Sequence, residues 1–347
     1  MKAVVFHSPG RVELKDLPLP IPGPGEARLR VLLAGVCRTD QHIVAGHFPV
    51  RGPRVLGHEL VGVVEAVGEG VSPGLLGETF GVLPARFCGE CPVCRRGLPE
   101  LCQRFECLGN THDGAFAGAA LVRADQLRPL NGISPASAVW LEPLACVLRA
   151  LELAGSDRDA PLLIAGAGVL GRLMLLAAAS AGFSRLAVVD PNPHRLQAAL
   201  DCGAGAGWVI PRSGPAPELD AALTDWAPEG PLAVVDTSGA PETLERAVRW
   251  SAPGGRIVLF GVPDPAARAC LPPSALLSKE LNLLAASGMT PASFEQAEDL
   301  LRSGRLDPGP LVSEVLGLEP LPELLLSRGP RREGKVLVQP DASPQAG

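Results

Sequence analysis

From residue 161 onward, runs of apolar residues alternate with stretches whose apolar positions recur every three or four residues. The run PLLIAGAGVL opens the series, and short apolar strands are predicted at 186–189, 208–210, 232–235, 256–261 and 281–286. Helix-like stretches lie between them at 216–226, 241–251 and 274–280. A parallel strand pair needs a long crossover, and crossover helices cover both faces of the sheet. Six such strands therefore predict an α/β fold with a doubly wound parallel sheet.

The pattern differs on either side of this block. Up to about residue 135 the apolar runs are short and turns are frequent, with 60–67 alternating like a half-buried strand. That predicts an irregular, mostly β domain. Beyond 287 the chain leaves the sheet, forms one helix at 292–303 and reaches GKVLVQP (334–340), a strand expected to rejoin the N-terminal β domain. The expected domains are 1–143, with a cysteine lobe at 86–104, then 144–286, then the return segment 287–347. The tail DASPQAG (341–347) is expected to be disordered, and PRSGPAP (211–217) to be a surface loop.

The turn after the first strand of the sheet carries chemistry. Gly166, Gly168 and Gly171 form a G-x-G-x-x-G motif that opens an Ala/Leu-rich helix, and the next strand ends at Asp190. Gly166 suits the strand-to-helix turn, Gly168 lets the backbone approach a pyrophosphate, and Gly171 lets the helix pack on the sheet. The helix N-terminus, at Val169 and Leu170, offers N–H groups and a positive dipole to phosphates. Asp190 is placed to accept hydrogen bonds from the adenosine ribose, with Arg195 nearby, and its charge opposes the 2′-phosphate of NADP. NAD is the expected dinucleotide.

Composition narrows the setting. The 347 residues carry a net charge of −6 and no long basic run, which argues against nucleic acid or an anionic membrane as partner. The apolar stretch 161–183 is interrupted by four glycines and Arg172, so it is expected to be a βα unit, not a membrane span. MKAVVFHSPG lacks a signal-peptide pattern, and a cytoplasmic setting is expected, where stable disulfides are rare. There, the C-x2-C-x2-C-x7-C cluster of Cys88, Cys91, Cys94 and Cys102 points to a closed tetrahedral zinc shell that ties down a loop. Upstream, Cys37, Thr39, Asp40 and His42 precede a Gly-His-Glu at 57–59. A mixed S/N/O set fits a catalytic zinc, although by spacing alone a lone cysteine is more often a small buried hydrophobe.

Together these motifs resemble the zinc-dependent medium-chain dehydrogenase/reductase superfamily of alcohol and polyol dehydrogenases. GVCRTDQH (35–42), GHELVGVVEAVG (57–68), the four-cysteine lobe, LEPLAC (141–146), GAGVLG (166–171) and GGRIVLFG (254–261) carry the resemblance, which covers nearly the whole chain. It implies a GroES-like catalytic domain beside a Rossmann domain, two zinc ions per chain (one catalytic, one structural), and NAD. It also implies Cys37 and His58 as constant catalytic-zinc ligands, with Glu59 and Glu142 as carboxylates that ligate or exchange. Asp40 is implied to orient His58, Thr39 to take the substrate proton and His42 to pass it on. Arg38 stands where some relatives contact the pyrophosphate. The implied reaction interconverts a primary, secondary or polyol alcohol and its aldehyde or ketone by hydride transfer. A homotetramer or homodimer is the implied assembly.

Other residues are assigned plainer roles. Cys107, Cys146, Cys202 and Cys270 are expected to be small buried hydrophobes. His47 and Phe48 read equally as cleft lining or loop packing. Ala117-Gly118 stands where relatives carry an acid and an aromatic, so a cleft wall is expected to be small there. Ser287, Gly288 and Met289 replace an arginine–aromatic pair of polyol dehydrogenases. A carbonyl or enone reductase and a non-catalytic NAD-binding protein are the alternatives.

Overall fold

The computed structural model describes residues 1–327 and 333–341, so the expected disordered tail lies, apart from Asp341, outside the described residues. The chain divides into two compact units. One comprises Met1–Pro143 with Thr290–Gly347, and the other Leu144–Met289.

The first unit is built on a sheet in the order Leu127–Pro129, Thr79–Val82, Glu59–Val67, Glu26–Gly35, Lys335–Val338, Val312–Leu316, and Ala119–Arg123 also pairs with Glu26–Gly35. A smaller sheet joins Arg11–Asp16, Lys2–Ser8 and Arg54–Val55. Alternation along Glu26–Gly35 sends Ala27, Leu29 and Val31 into a core with Phe6, Val64 and Phe116. The strand Lys335–Val338 pairs antiparallel with Glu26–Gly35 and parallel with Val312–Leu316, so the last strand among the described residues completes the sheet begun by the first hundred. Gly35 is needed at this junction: a Cβ there would lie 1.9 Å from Glu59 Oε2 and 2.9 Å from Lys335 Cε.

The second unit holds the six-stranded parallel sheet, ordered Ala206–Val209, Leu186–Asp190, Leu162–Ala165, Ala233–Asp236, Arg256–Leu259, Asn282–Ala285. The chain winds outward to one side of Leu162–Ala165, then returns to build the other side from Ala233–Asp236. The order reverses between these two strands, the switch point at which open α/β sheets bind ligands. Continuous apolar strands, such as LLIA, are buried on both faces against residues such as Leu219, Leu223 and Val248. The long apolar stretch resolves into the strand Leu162–Ala165 and the helix Val169–Ser180, and no helix among the described residues is long and apolar enough to cross a membrane. The strand expected over 256–261 stops at Leu259, because the N–H groups of Phe260 and Gly261 turn to donate to Asp236 O at 2.9 and 2.7 Å.

Candidate metal and dinucleotide sites

In the cysteine lobe, Gly89 and Gly97 adopt φ of 71° and 79°, turning the chain at each side of the short helix Pro92–Arg95. The sulfurs of Cys88, Cys91, Cys94 and Cys102 all lie within 4.8 Å of one another. Cys88 Sγ is 3.9 Å from Cys94 Sγ and 3.4 Å from Cys102 Sγ. Zinc–sulfur bonds of about 2.3 Å at tetrahedral angles demand edges of about 3.8 Å, so the cage fits the ion. Backbone N–H groups of Cys91, Cys94 and Arg104 donate to the sulfurs of Cys88, Cys91 and Cys102 at 3.3, 3.5 and 3.3 Å. Such donors favour thiolate: hydrogen bonding from the Glu90 backbone, with lesser help from Cys91 and Cys102, holds the Cys88 thiol down to about 6.

A second cluster forms where two chain turns meet. Cys37 caps the helix Arg38–Val44, and its sulfur accepts from Thr39 N at 3.5 Å. Asp40, wholly buried, reaches back to accept from Cys37 N at 2.9 Å, closing a capping box. Its other oxygen lies 3.5 Å from His58 Nδ1. His58 ends the Gly57 turn, where φ is +94°, and Glu59 begins the strand Glu59–Val67. Burial pulls the His58 imidazole down, but the Cys37 and Asp40 charges outweigh it and hold its pKa well above the ordinary range. One ligand atom each from Cys37, His58 and Glu59 falls within a common 4.8 Å. This is a sulfur, nitrogen and oxygen donor set of the kind that holds zinc with a position left open.

Glu142 stands outside that grouping, buried in the first turn of the helix Leu141–Ala154. Thr39 is half-buried on the Cys37-capped helix, and Arg38 is exposed, its Nη1 donating to Gln41 Oε1 at 3.3 Å. His42 is buried with Nδ1 3.3 Å from Nδ1 of the exposed His47, and His47 N donates to His42 O at 2.9 Å. Phe48 is exposed as well.

The glycine turn has the geometry its sequence predicts. Gly166 has φ +112°, and a Cβ there would lie 2.5 Å from Thr237 Oγ1. A Cβ on Gly171 would lie 1.8 Å from Gly166 O, while one on Gly168 would meet nothing within 4 Å. Gly168 caps the helix Val169–Ser180 with no side-chain acceptor, so the first-turn N–H groups, those of Val169, Leu170 and Gly171 among them, lack an intrahelical partner. Asp190 is buried, accepting from Ala167 N at 2.7 Å and Asn192 N at 2.8 Å, and Arg195 lies in the first turn of the helix Pro193–Asp201. The cradle fits a dinucleotide pyrophosphate: it offers donors, a dipole and space where a side chain would stand.

Three contributors had no local signal. Thr237 Oγ1 donates to Ala165 O and Gly166 O at 3.1 and 2.9 Å and pins the glycine turn. Lys335 contacts Glu59 across 276 positions, and Trp140, fully buried, lies beneath it. The four remaining cysteines differ from expectation. Cys270 is exposed, and Cys107, Cys146 and Cys202 are intermediate, although burial pushes the Cys107 thiol up to about 12. Ala117 is buried in the first unit's core, where it bridges Ala3.

Two family models match the chain. One is the alcohol dehydrogenase GroES-like domain, over residues 23–132, and the other the zinc-binding dehydrogenase domain, over residues 169–303. D-altritol 5-dehydrogenase of Agrobacterium fabrum is 32% identical over 334 residues, spanning 94% of each chain. The chain belongs to the zinc-dependent medium-chain dehydrogenase/reductase superfamily. Its β-rich unit and parallel sheet are the GroES-like and Rossmann parts of a medium-chain dehydrogenase. The superfamily relatives include the starvation-sensing protein RspB of Escherichia coli K12, 30% identical over 92% of this chain and 93% of that one. An alcohol dehydrogenase (rspB) of E. coli CFT073, solved with NADH, matches with a TM-score of 0.88 at 27% identity, covering 98% of this chain and 99% of that one.

Proposed function

We propose that this protein is a zinc- and NAD-dependent dehydrogenase that interconverts a secondary hydroxyl of a polyol and its ketone. The observation that carries the proposal is the convergence of Cys37, His58 and Glu59 within 4.8 Å, in a chain that also holds a dinucleotide turn. Relationship to a D-altritol dehydrogenase supports the polyol class. Cys37, His58, Glu59 and Glu142 are the proposed catalytic-zinc residues, and the four lobe cysteines the structural ones.

Bound at such a site, zinc is a Lewis acid that lowers the pKa of a coordinated hydroxyl, and NAD accepts the hydride. The chain's own residues do the rest. Asp40 against His58 Nδ1 keeps the ring proton there and leaves Nε2 as the lone-pair donor. The Thr39 hydroxyl takes the substrate proton and His42 passes it outward. The 3.3 Å contact between His42 and His47 carries that path to an exposed ring. Arg38, Gly166, Gly168, Val169, Leu170, Gly171, Asp190 and Arg195 hold the dinucleotide, and Asp190 selects NAD over NADP by charge. The working form is a cytoplasmic homodimer or homotetramer. Among the described residues, the strand Asn282–Ala285 ends the parallel sheet with an unpaired edge, and Leu277 and Leu283 near it are 80% and 41% exposed, an apolar edge that another copy can cover.

The test is NADH formation over a panel of polyols, simple alcohols, aldonates and hydroxy-amino acids, with and without a zinc chelator and repeated with NADP. Polyol turnover that is lost on chelation and weak with NADP is expected. Absence of turnover from a protein that binds NAD and fills both zinc clusters would favour a binding-only role.

A further inference from the structure

Of the six histidines, His42 and His47 alone bring their rings together among the described residues. The ring centroids are 5.6 Å apart at an interplanar angle of 43°, and the two Nδ1 atoms lie 3.3 Å from each other. Neither residue belongs to the cysteine lobe or to the Cys37 cluster. His42 is buried in the last turn of the helix Arg38–Val44, whereas His47 is exposed. The backbone between them is held by its own hydrogen bonds. Ala45 N donates to Gln41 O at 2.8 Å, Gly46 N to Ile43 O at 3.0 Å and His47 N to His42 O at 2.9 Å. Gly46 makes the left-handed turn, with φ +81°. Gly10 N, between the first two strands, donates to Val44 O at 2.8 Å and ties this turn to their hairpin.

We infer that His42 and His47 form a third metal site, in which their two Nδ1 atoms take a transition-metal ion such as Zn2+ reversibly from solution. Zinc–imidazole bonds of about 2.0–2.1 Å at a tetrahedral angle set a nitrogen–nitrogen edge of about 3.3–3.4 Å. The 3.3 Å separation falls on that edge, and it is long for a hydrogen bond from N–H, which ordinarily spans about 2.7–3.2 Å. Imidazole nitrogen suits zinc, copper and nickel, and the turn between the rings presents both donors with little ordering left to do. Each Nδ1 gives its lone pair to the ion, and each ring keeps its proton on Nε2. The other coordination positions fall to water on the exposed side of His47. Two neutral donors hold an ion less firmly than four thiolates or a thiolate–imidazole–carboxylate set, so this site fills last and empties first. Its effect on turnover, unlike the site itself, rests on the proton path proposed above. An ion on both Nδ1 atoms closes the contact between His42 and His47, so excess metal slows the reaction without touching the catalytic zinc.

The test uses full-length protein dialysed to constant zinc content, with the retained ions counted by elemental analysis. Equilibrium dialysis against added Zn2+ is expected to show one further ion per chain. His47→Gln is expected to weaken that ion at least tenfold, and His47→Cys, which keeps a donor in place, to retain it. His112→Gln, at an exposed histidine elsewhere in the same unit, should bind the further ion as the wild type does. His47 is a surface residue, so the comparison does not depend on a substitution in the core. Turnover of the wild type should fall over the zinc range in which the ion binds and recover when a weak chelator removes it. In His47→Gln, turnover should not respond to zinc over that range. A wild type that takes up no further ion, or a further ion that His47→Gln binds equally well, overturns the metal site. A His47-dependent ion that leaves turnover unchanged upholds the site and overturns instead the proton path through His47.

Discussion

Gly168 and Gly171 stand three residues apart in one motif, yet the structure assigns them different work, and alanine at each separates the two. At Gly171 the added carbon would stand 1.8 Å from Gly166 O, so the helix and the turn must part to at least 3.0 Å, a shift of about 1.2 Å. Overpacking of that kind costs about 1–3 kcal/mol. For a unit of this size each kcal/mol lowers Tm by roughly 2–4 °C. At Gly168 the carbon meets nothing within 4 Å and φ is −68°, which any residue adopts, so the free protein should keep its Tm. On the proposed cofactor placement, that space is where the pyrophosphate approaches the backbone. Gly168→Ala is therefore expected to weaken NAD binding about tenfold or more, equivalent to at least ~1.4 kcal/mol. Gly171→Ala should lose both affinity and Tm. Differential scanning calorimetry of the NAD-free protein and titration calorimetry with NAD read the two quantities. Wild-type NAD affinity in Gly168→Ala would refute the placement of the cofactor on this turn.

Cys94→Ser should release one zinc ion per chain, counted by elemental analysis, and leave NAD affinity intact; Cys37→Ser should release a different one and abolish turnover. Asp40→Ala removes both the N3 half of the capping box, where it accepts from Cys37 N, and the partner of His58. Zinc affinity at the Cys37 site should then fall about 10–100-fold by chelator competition. Asp190→Ser should narrow the preference for NAD over NADP in kcat/KM by about tenfold, and an unchanged ratio would mean that another residue reads the ribose. Leu277→Lys with Leu283→Lys should shift sedimentation toward a smaller species if the exposed edge is the subunit contact.

Much of the parallel sheet was legible because its signals are local. A strand buried on both faces reads as an unbroken apolar run, and the glycine spacing and Asp190 fall within one βαβ unit. Predicted helices at 216–226, 241–251 and 292–303 match Pro217–Trp226, Pro241–Trp250 and Pro291–Arg302, each opened by a proline that suits the first turn. The lobe was legible for the same reason: four cysteines whose sulfurs gather within 4.8 Å lie within fifteen residues. The second cluster was not legible by spacing alone. Cys37 and Glu59 are brought together by pairing of the strands Glu26–Gly35 and Glu59–Val67, and resemblance was needed to single them out. Nothing near Lys335 announces that its charge turns inward, since a lysine at the start of a strand ordinarily faces solvent. The exposure of Cys270 was equally hidden, because burial depends on where the turn after the fifth sheet strand leads.

The strand that carries Lys335 also dictates an order of events during synthesis. The Rossmann unit, Leu144–Met289, is contiguous and has all of its strands once residue 289 has emerged from the ribosome. The GroES-like unit is then still missing two strands of its main sheet, and the edge of Glu26–Gly35 that receives Lys335–Val338 is unpaired for the roughly three hundred residues that separate the two strands. Glu59 waits as long for its cation. The nascent chain thus carries a finished nucleotide-binding fold behind an open β edge, a surface suited to chaperone capture and to mispairing between neighbouring nascent chains. Emergence of Lys335–Val338 closes that edge and brings Lys335 to Glu59 in one step.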